Sequence, residues 1–474
     1  MDDMKIRSPI QKQLPLDIVG SNNYGRYPKI SIEQTFNMIV SDDWLVPYAG
    51  HKKIASIDPN GKGRGLYGSP SYNKMFAVID NRVYSVTSGL AFQQIGTIDT
   101  FAGDVFIDEN NAGQVAFCDK KNLYIYNSEG SPPFQKVTLD FVPGYICFQD
   151  TYFIAPDLNT SQWRLSDNNN GLVWPAAAAN VGTFQTKSDR PLATIRFPGK
   201  GNLLFVMGNI VTEAWYDVGY QLFPYQRNTY FNIDYGCLNP ATIAASDTLI
   251  VWLAANEKSG PVIMFTDGGA PNQISNDGIN FKLAQLENPQ DSYGFLFKQD
   301  GHLIYQLTFP SDNLSLIFDF NTKRFFTICD QYMNYHIAKR VVYFNNSYYF
   351  VSFNDGNLYE LNSDYTTFDG AEIPRIRVCK NIRMPDSSRF IVNNLNFILE
   401  QGEAANVQRI DFSFSIDGGA SFSSYEGIEL NKQGHRQNRI DYWNKGMAND
   451  FVPQFRFWGT GRFVATNGVV SVYQ

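Results

Sequence analysis

Short apolar runs broken by polar turns fill most of the chain, and the pattern is clearest at residues 295–328, FLFKQDGHLIYQLTFPSDNLSLIFDFNTKRFFTI. Asp300-Gly301, Pro310-Ser311-Asp312-Asn313 and Asn321-Thr322-Lys323 divide it into segments rich in Leu, Ile, Phe and Tyr. Asp-Gly between such segments predicts a tight hairpin, because a type I′ turn needs positive φ at both central residues. His302 to Thr308 and Leu314 to Phe320 have the length of strands. The stretch therefore predicts an antiparallel meander of about four strands, the size of one propeller blade.

Approximate copies follow the same plan at residues 74–86, 114–127, 144–156, 202–217, 248–267 and 340–362. Tyr84, Tyr124, Trp163, Trp215, Met264, Ile317 and Tyr359 occupy corresponding late-strand positions. Their spacing, about 40 to 50 residues, is the interval of four-stranded blades. The expected fold is all-β, a β-propeller of about six or seven blades. A β-sandwich with evenly spaced turns is the alternative.

Residues 1–63 have few clear strands and are expected to form an N-terminal arm, or a strand that joins a later sheet. Propeller repeats are assigned to 64–370, and 371–474 to a C-terminal β-rich domain with an alternating segment at Arg409 to Ser415. Ser166 to Val181 suggests a rim loop, and Ala371 to Arg389 carries the chain out of the repeats. Helix is expected at most as a turn or two, at Thr160 to Leu165 and Phe281 to Glu287.

Composition adds limits. A chain of 474 residues can bury a large core, and 15% aromatic against 18% charged residues favours packed sheets. A net charge of −7 argues against a general nucleic-acid-binding surface. Five cysteines, an odd number without Cys-x-x-Cys, predict buried free thiols in a reducing compartment. The first twenty residues lack a signal-peptide core, and no apolar run reaches the roughly 18 residues of a membrane span. A protein in solution, not exported by that route, is the expectation.

The search for chemistry yields little. His51, His302, His336 and His435 show no metal-ligand spacing. Gly61-Lys62-Gly63-Arg64-Gly65 has the composition of a phosphate-binding turn but no following helix, and reads as a flexible lead-in loop. No Gly-x-Ser-x-Gly elbow occurs. Asp104, Asp108 and Glu109 form one acidic cluster and Glu400 with Glu403 another, and neither fixes the geometry a glycosidase needs. No catalytic residue, metal ligand or cofactor is assigned.

Ser415-Ile416-Asp417-Gly418-Gly419-Ala420-Ser421-Phe422 resembles the aspartate box of sialidases, Ser-x-Asp-x-Gly-x-Thr-Trp. In that motif the Asp caps a turn and the aromatic packs beneath it, away from the catalytic pocket. Ser415, Asp417, Gly418, Gly419 and Phe422 are accordingly read as a structural turn.

Residues 411–463 carry a wider resemblance. The Asp417 to Phe422 hairpin is followed by Gly434, Arg439, Trp443, Gly446 and the Phe455-Arg456-Phe457 strand. Near the other end stand Asn37-Met38 and Tyr48-Ala49-Gly50, with Ala49 where the pattern has Pro. With this, the chain resembles the packaged-DNA stabilisation proteins, the tail hub or nozzle proteins of short-tailed bacteriophages. The resemblance implies a structural virion protein: a homo-hexameric ring below the portal adaptor ring, in a virion tail assembled in the bacterial host cytoplasm. Such a ring extends the DNA channel, retains the packaged genome, and docks a tailspike or tail fibre and a tail needle or plug. DNA passes without specific binding, and no enzyme activity or membrane span is implied. Two other readings compete, a propeller that binds or cleaves glycans and an interaction propeller of a cellular complex.

Overall fold

The computed structural model describes residues 10–25, 32–220, 223–401, 409–430 and 437–474. Glu403, Gly434 and His435 lie outside them.

Seven antiparallel sheets follow one another around a common axis. Their innermost strands are Gly63–Ser69, Phe106–Glu109, Cys147–Gln149, Pro191–Arg196, the split pair Gly236–Cys237 and Ala244–Ala245, Tyr293–Gln299 and Ala338–Phe344. Ala338–Phe344 packs back against Gly63–Ser69 and completes the circle. The expected propeller is present, with seven blades.

The 295–328 meander is the sixth blade, with strands Tyr293–Gln299, His302–Phe309, Leu314–Asp319 and Arg324–Ile328. Asp300 and Gly301 both have positive φ, 47° and 87°, as the turn requires. The seven late-strand residues all fall on the third strand of their blades, and all are buried. They pack between blades, as Trp163 does against Trp215 with ring centroids 5.3 Å apart. Burying each such side chain contributes about 1.5–3 kcal/mol.

Two helix expectations change. Gln162–Leu165 is a strand, because Trp163 and Leu165 alternate inward in blade three. The helix near 281 starts earlier, at Asp277–Leu283, where the Asn276 side chain accepts the Ile279 N–H at 2.9 Å.

Residues of the expected arm are shared among several sheets. Gly50–Asp58 is the outer strand of the seventh blade, antiparallel to Gly356–Asn362, so a segment before the repeats closes the ring. Gln11–Leu16, Met38–Ser41 and Trp44–Pro47 join a sheet with Phe390–Gln401, Gln437–Ala448, Phe463–Ala465 and Gly468–Tyr473. Against it packs a second layer, Arg375–Val378, Val452–Trp458, Arg409–Ser415 and Glu426–Glu429, forming a β-sandwich.

Ile32–Phe36 links the two bodies. It pairs in parallel with Arg324–Ile328 through Phe36 and Thr327, and antiparallel with Arg375–Val378. One ten-stranded sheet thus runs from the sixth blade into the sandwich. A single apolar core continues beneath it, from Phe297, Ile317 and Phe350 to Phe412, Tyr442 and Phe455.

Candidate functional site at the propeller–sandwich junction

The arm is held where the two bodies meet. Asn37 has φ 55°, a left-handed conformation that Asn tolerates. Its Nδ2–H donates to the Pro374 carbonyl at 2.8 Å, and its Oδ1 accepts the Cys329 N–H at 2.9 Å. One side chain therefore ties the end of blade six to the start of the sandwich. Tyr48 N–H donates to the Asn37 carbonyl at 3.0 Å, and Ala49 N–H donates to Gln299 Oε1 at 3.0 Å. A proline at 49 has no N–H to make that bond. Gly50 passes so close to the chain that an added Cβ would lie 2.4 Å from the Tyr365 carbonyl oxygen.

Arg377, fully buried, clamps the arm from the sandwich side. Its Nε–H donates to the Ile18 carbonyl at 2.9 Å, and its Nη groups donate to the carbonyls of Asp17 at 3.0 Å and Ser21 at 3.1 Å. Glu33 supplies the counter-charge at 3.0 Å. A buried guanidinium is tolerated only when its donors are satisfied in this way.

Beside the junction lies a buried aromatic cluster with two histidines. His51, on the closing strand, stacks on Phe368 at 4.5 Å and meets the His336 ring edge-on at 5.5 Å. Burial lowers the His51 pKa to about 3 and lowers that of His336 well below its usual value, where His51 adds a smaller effect. Both rings are neutral at pH 7.

Beside the inner strands of blades two and seven, Lys339 lies 3.2 Å and Lys120 3.6 Å from the Asp104 carboxylate. Burial alone would raise the Asp104 pKa, but Lys339, Lys120 and Arg340 outweigh it and hold it at about 2. The Lys339 ammonium also sits over the Phe353 ring, 4.9 Å from its centroid. Next to this pair, residues of the inner strands line a cavity of about 200 Å³.

The residues singled out in the sequence are dispersed. Asp108 accepts the Phe148 N–H at 2.7 Å, and Glu109 is buried without a hydrogen-bond partner. These carboxylates and Asp104 are spread along one inner strand and its lead-in rather than facing each other across a pocket. Glu400 accepts the Gln437 Nε2–H at 2.7 Å. Arg64 of the glycine-rich stretch turns inward and donates to the carbonyls of Thr100, Ala102 and Gly103, so that stretch opens blade one. All five cysteines are buried free thiols, each pushed to about 12 by burial. Among the described residues no group of His, Cys, Asp and Glu could hold a metal ion, and no helix is long and apolar enough to cross a membrane.

In the 415–422 turn, Asp417 Oδ1 accepts the Ser415 hydroxyl at 2.6 Å and the Ser421 N–H at 2.9 Å. Ser415 Oγ accepts the Gly419 N–H at 2.8 Å, and Gly418 and Gly419 have φ 74° and 89°. These bonds to Ser415 and Ser421 hold the Asp417 carboxyl well below its usual range. Phe422 packs on Ile376, Val378 and Val452 beneath. The turn lies in the sandwich, apart from the propeller axis.

Arg377 and Lys339 were not singled out from the sequence. The available signal was the alternation Arg375-Ile376-Arg377-Val378, where cations stand inside an apolar strand.

Comparison with known proteins matches both bodies. The family described as Bacteriophage P22 Gp10, beta-propeller, covers residues 24–366, and its companion, Bacteriophage P22 Gp10, beta-sandwich, covers 377–472. No curated protein gives a significant match. Among solved structures, virginiamycin B lyase from Staphylococcus aureus is 11% identical, covering 66% of this chain and 99% of its own, with a TM-score of 0.46. A chain of the mitotic checkpoint complex is 12% identical, covering 73% and 98%, with a TM-score of 0.40. Those two likenesses are distant and carry no function. The propeller, the sandwich and both sequence matches make the chain a member of the Bacteriophage P22 Gp10 family of phage stabilisation proteins, structural components of the virion.

Proposed function

We propose that this chain is the hub of a short phage tail, six copies of which form a ring below the portal and its adaptor. The ring extends the DNA channel, retains the packaged genome, and docks tailspikes or fibres at its side and a needle or plug at its tip. The observation that carries this reading is the family match over both bodies, propeller and sandwich. The role needs rigid, addressable surfaces and no chemistry, and the shared ten-stranded sheet supports it by fixing one body to the other.

The propeller's own axis is not the DNA path. A duplex whose major groove alone is about 12 Å wide does not fit a cavity of about 200 Å³. In this reading the lumen lies between copies. The net charge of −7 suits a lumen along which DNA slides, since a basic wall would hold phosphates through counterion release.

The test is electron microscopy of the purified protein, alone and with tail-less, DNA-filled capsids of its phage. Rings, or density capping the portal vertex with slowed DNA release, support the reading. A monomer that ignores the capsids overturns it.

A further inference from the structure

The axial cavity has an unusual lining. Its side chains are almost all apolar, including Leu66, Ile107, Ile243 and Leu296, and its two polar residues are Tyr145 and Arg340. Both flank Phe106: the Tyr145 ring centroid is 4.3 Å from that of Phe106, and the Arg340 guanidinium lies 5.5 Å from it.

Asp104 is within ion-pair distance of Lys339 and Lys120, and no carboxylate is within ion-pair distance of Arg340 among the described residues. Arg340 Nη1–H donates to the Ala241 carbonyl at 3.2 Å, and Nη2 is buried without a hydrogen-bond partner. A guanidinium offers five donors, so this one is under-satisfied at its buried Nη2. The innermost strands have no partner on their axial side, so the backbone N–H and C=O groups of that edge have no strand partner there.

We propose that the axial cavity binds one small oxyanion, of carboxylate or phosphate type, through the Arg340 guanidinium, the Tyr145 hydroxyl and N–H groups of the inner strand edges. The volume holds a phosphate-sized ion with a few waters, since a water takes about 30 Å³, and excludes a nucleic-acid strand. An anion there pairs with Arg340 and bridges the inner strand of blade seven to the lead-in of blade three. This inference does not depend on the tail-hub role.

The test is calorimetric titration and thermal unfolding of the full chain with inorganic phosphate and with acetate, against chloride at equal ionic strength. The expected result is saturable one-site binding and a higher Tm with at least one oxyanion. Tighter binding of phosphate or of acetate assigns the type. Arg340→Met removes the charge while keeping a long unbranched side chain, and weakens binding by about tenfold or more. Tyr145→Phe gives a smaller loss. No saturable binding beyond chloride, or wild-type affinity in Arg340→Met, overturns the proposal. Should Arg340→Met fail to fold, Arg340→Lys and Tyr145→Phe decide, and wild-type affinity in both overturns it.

Discussion

Arg377 stands opposite Thr35 in register and donates Nη1–H to its hydroxyl at 3.1 Å, across the strand pair that joins sandwich and arm. The same side chain holds the carbonyls of Asp17, Ile18 and Ser21. Arg377→Met leaves those acceptors and Glu33 unpaired in a buried place, at a cost of about 3–5 kcal/mol. Urea unfolding shows the loss, and limited proteolysis shows the arm cut earlier than in the wild type. An unchanged urea midpoint in Arg377→Met would mean that the clamp is redundant.

Gly50 makes a second, steric test of the same junction. Alanine there places its Cβ 2.4 Å from the Tyr365 carbonyl oxygen and 2.5 Å from that of Thr367, and backbone cannot easily retreat. Gly50→Ala is expected to destabilise by about 1–3 kcal/mol. Gly201→Ala, where a Cβ meets nothing within 4 Å, is the control and should stay within about 0.5 kcal/mol of the wild type. Equal Tm values for the two variants would show that the close approach at Gly50 relaxes freely.

The blades were legible because their information is local. Alternation over a few residues and a turn such as Asp300-Gly301 suffice to mark a hairpin, and the third-strand residues, always buried, repeat most regularly. The inner strands were harder, since Cys147–Gln149 has three residues and the fifth blade's inner position is split. What joins the bodies is not local at all. Gly50–Asp58 finds its partner at Gly356–Asn362, and nothing in either stretch alone names the other. Arg377 and Lys339 look like surface charges until tertiary packing buries them. The resemblance at Asn37-Met38 and Tyr48-Ala49-Gly50 pointed to the junction without showing why, and the hydrogen bonds of Asn37 and Ala49 supply the reason.

Acid should loosen the ring closure. The His51 pKa lies near 3 in the folded chain, against about 6.5 when unfolded, because burial disfavours the charged ring. Between these values the unfolded chain binds the extra proton, so the neutral-ring stability is fully present above about pH 6.5 and is lost as pH falls toward 3. His336 shifts in the same direction and adds to the slope. Each contributes about 1.4 kcal/mol per pH unit. Urea midpoints should be flat from about pH 7 to 8 and fall below about pH 6. In His51→Phe the fall should be shallower, and an identical profile would remove His51 from the account.

The axial ion pair allows a double-mutant cycle. Asp104 lies 3.2 Å from Lys339, whose ammonium is buried and whose pKa is lowered by that burial, although Asp104 opposes the shift. Asp104→Asn removes the counter-charge of both Lys339 and Lys120 and is expected to cost about 3–5 kcal/mol. Lys339→Met alone should cost less, because Lys120 at 3.6 Å still pairs with Asp104 and the methionine stem keeps the packing on Phe353. The double variant should recover part of the Asp104→Asn loss, since it buries one fewer unpaired cation, and a coupling of about 1–3 kcal/mol is expected from chemical denaturation. Simple additivity of the two losses would show that water reaches the pair and screens it.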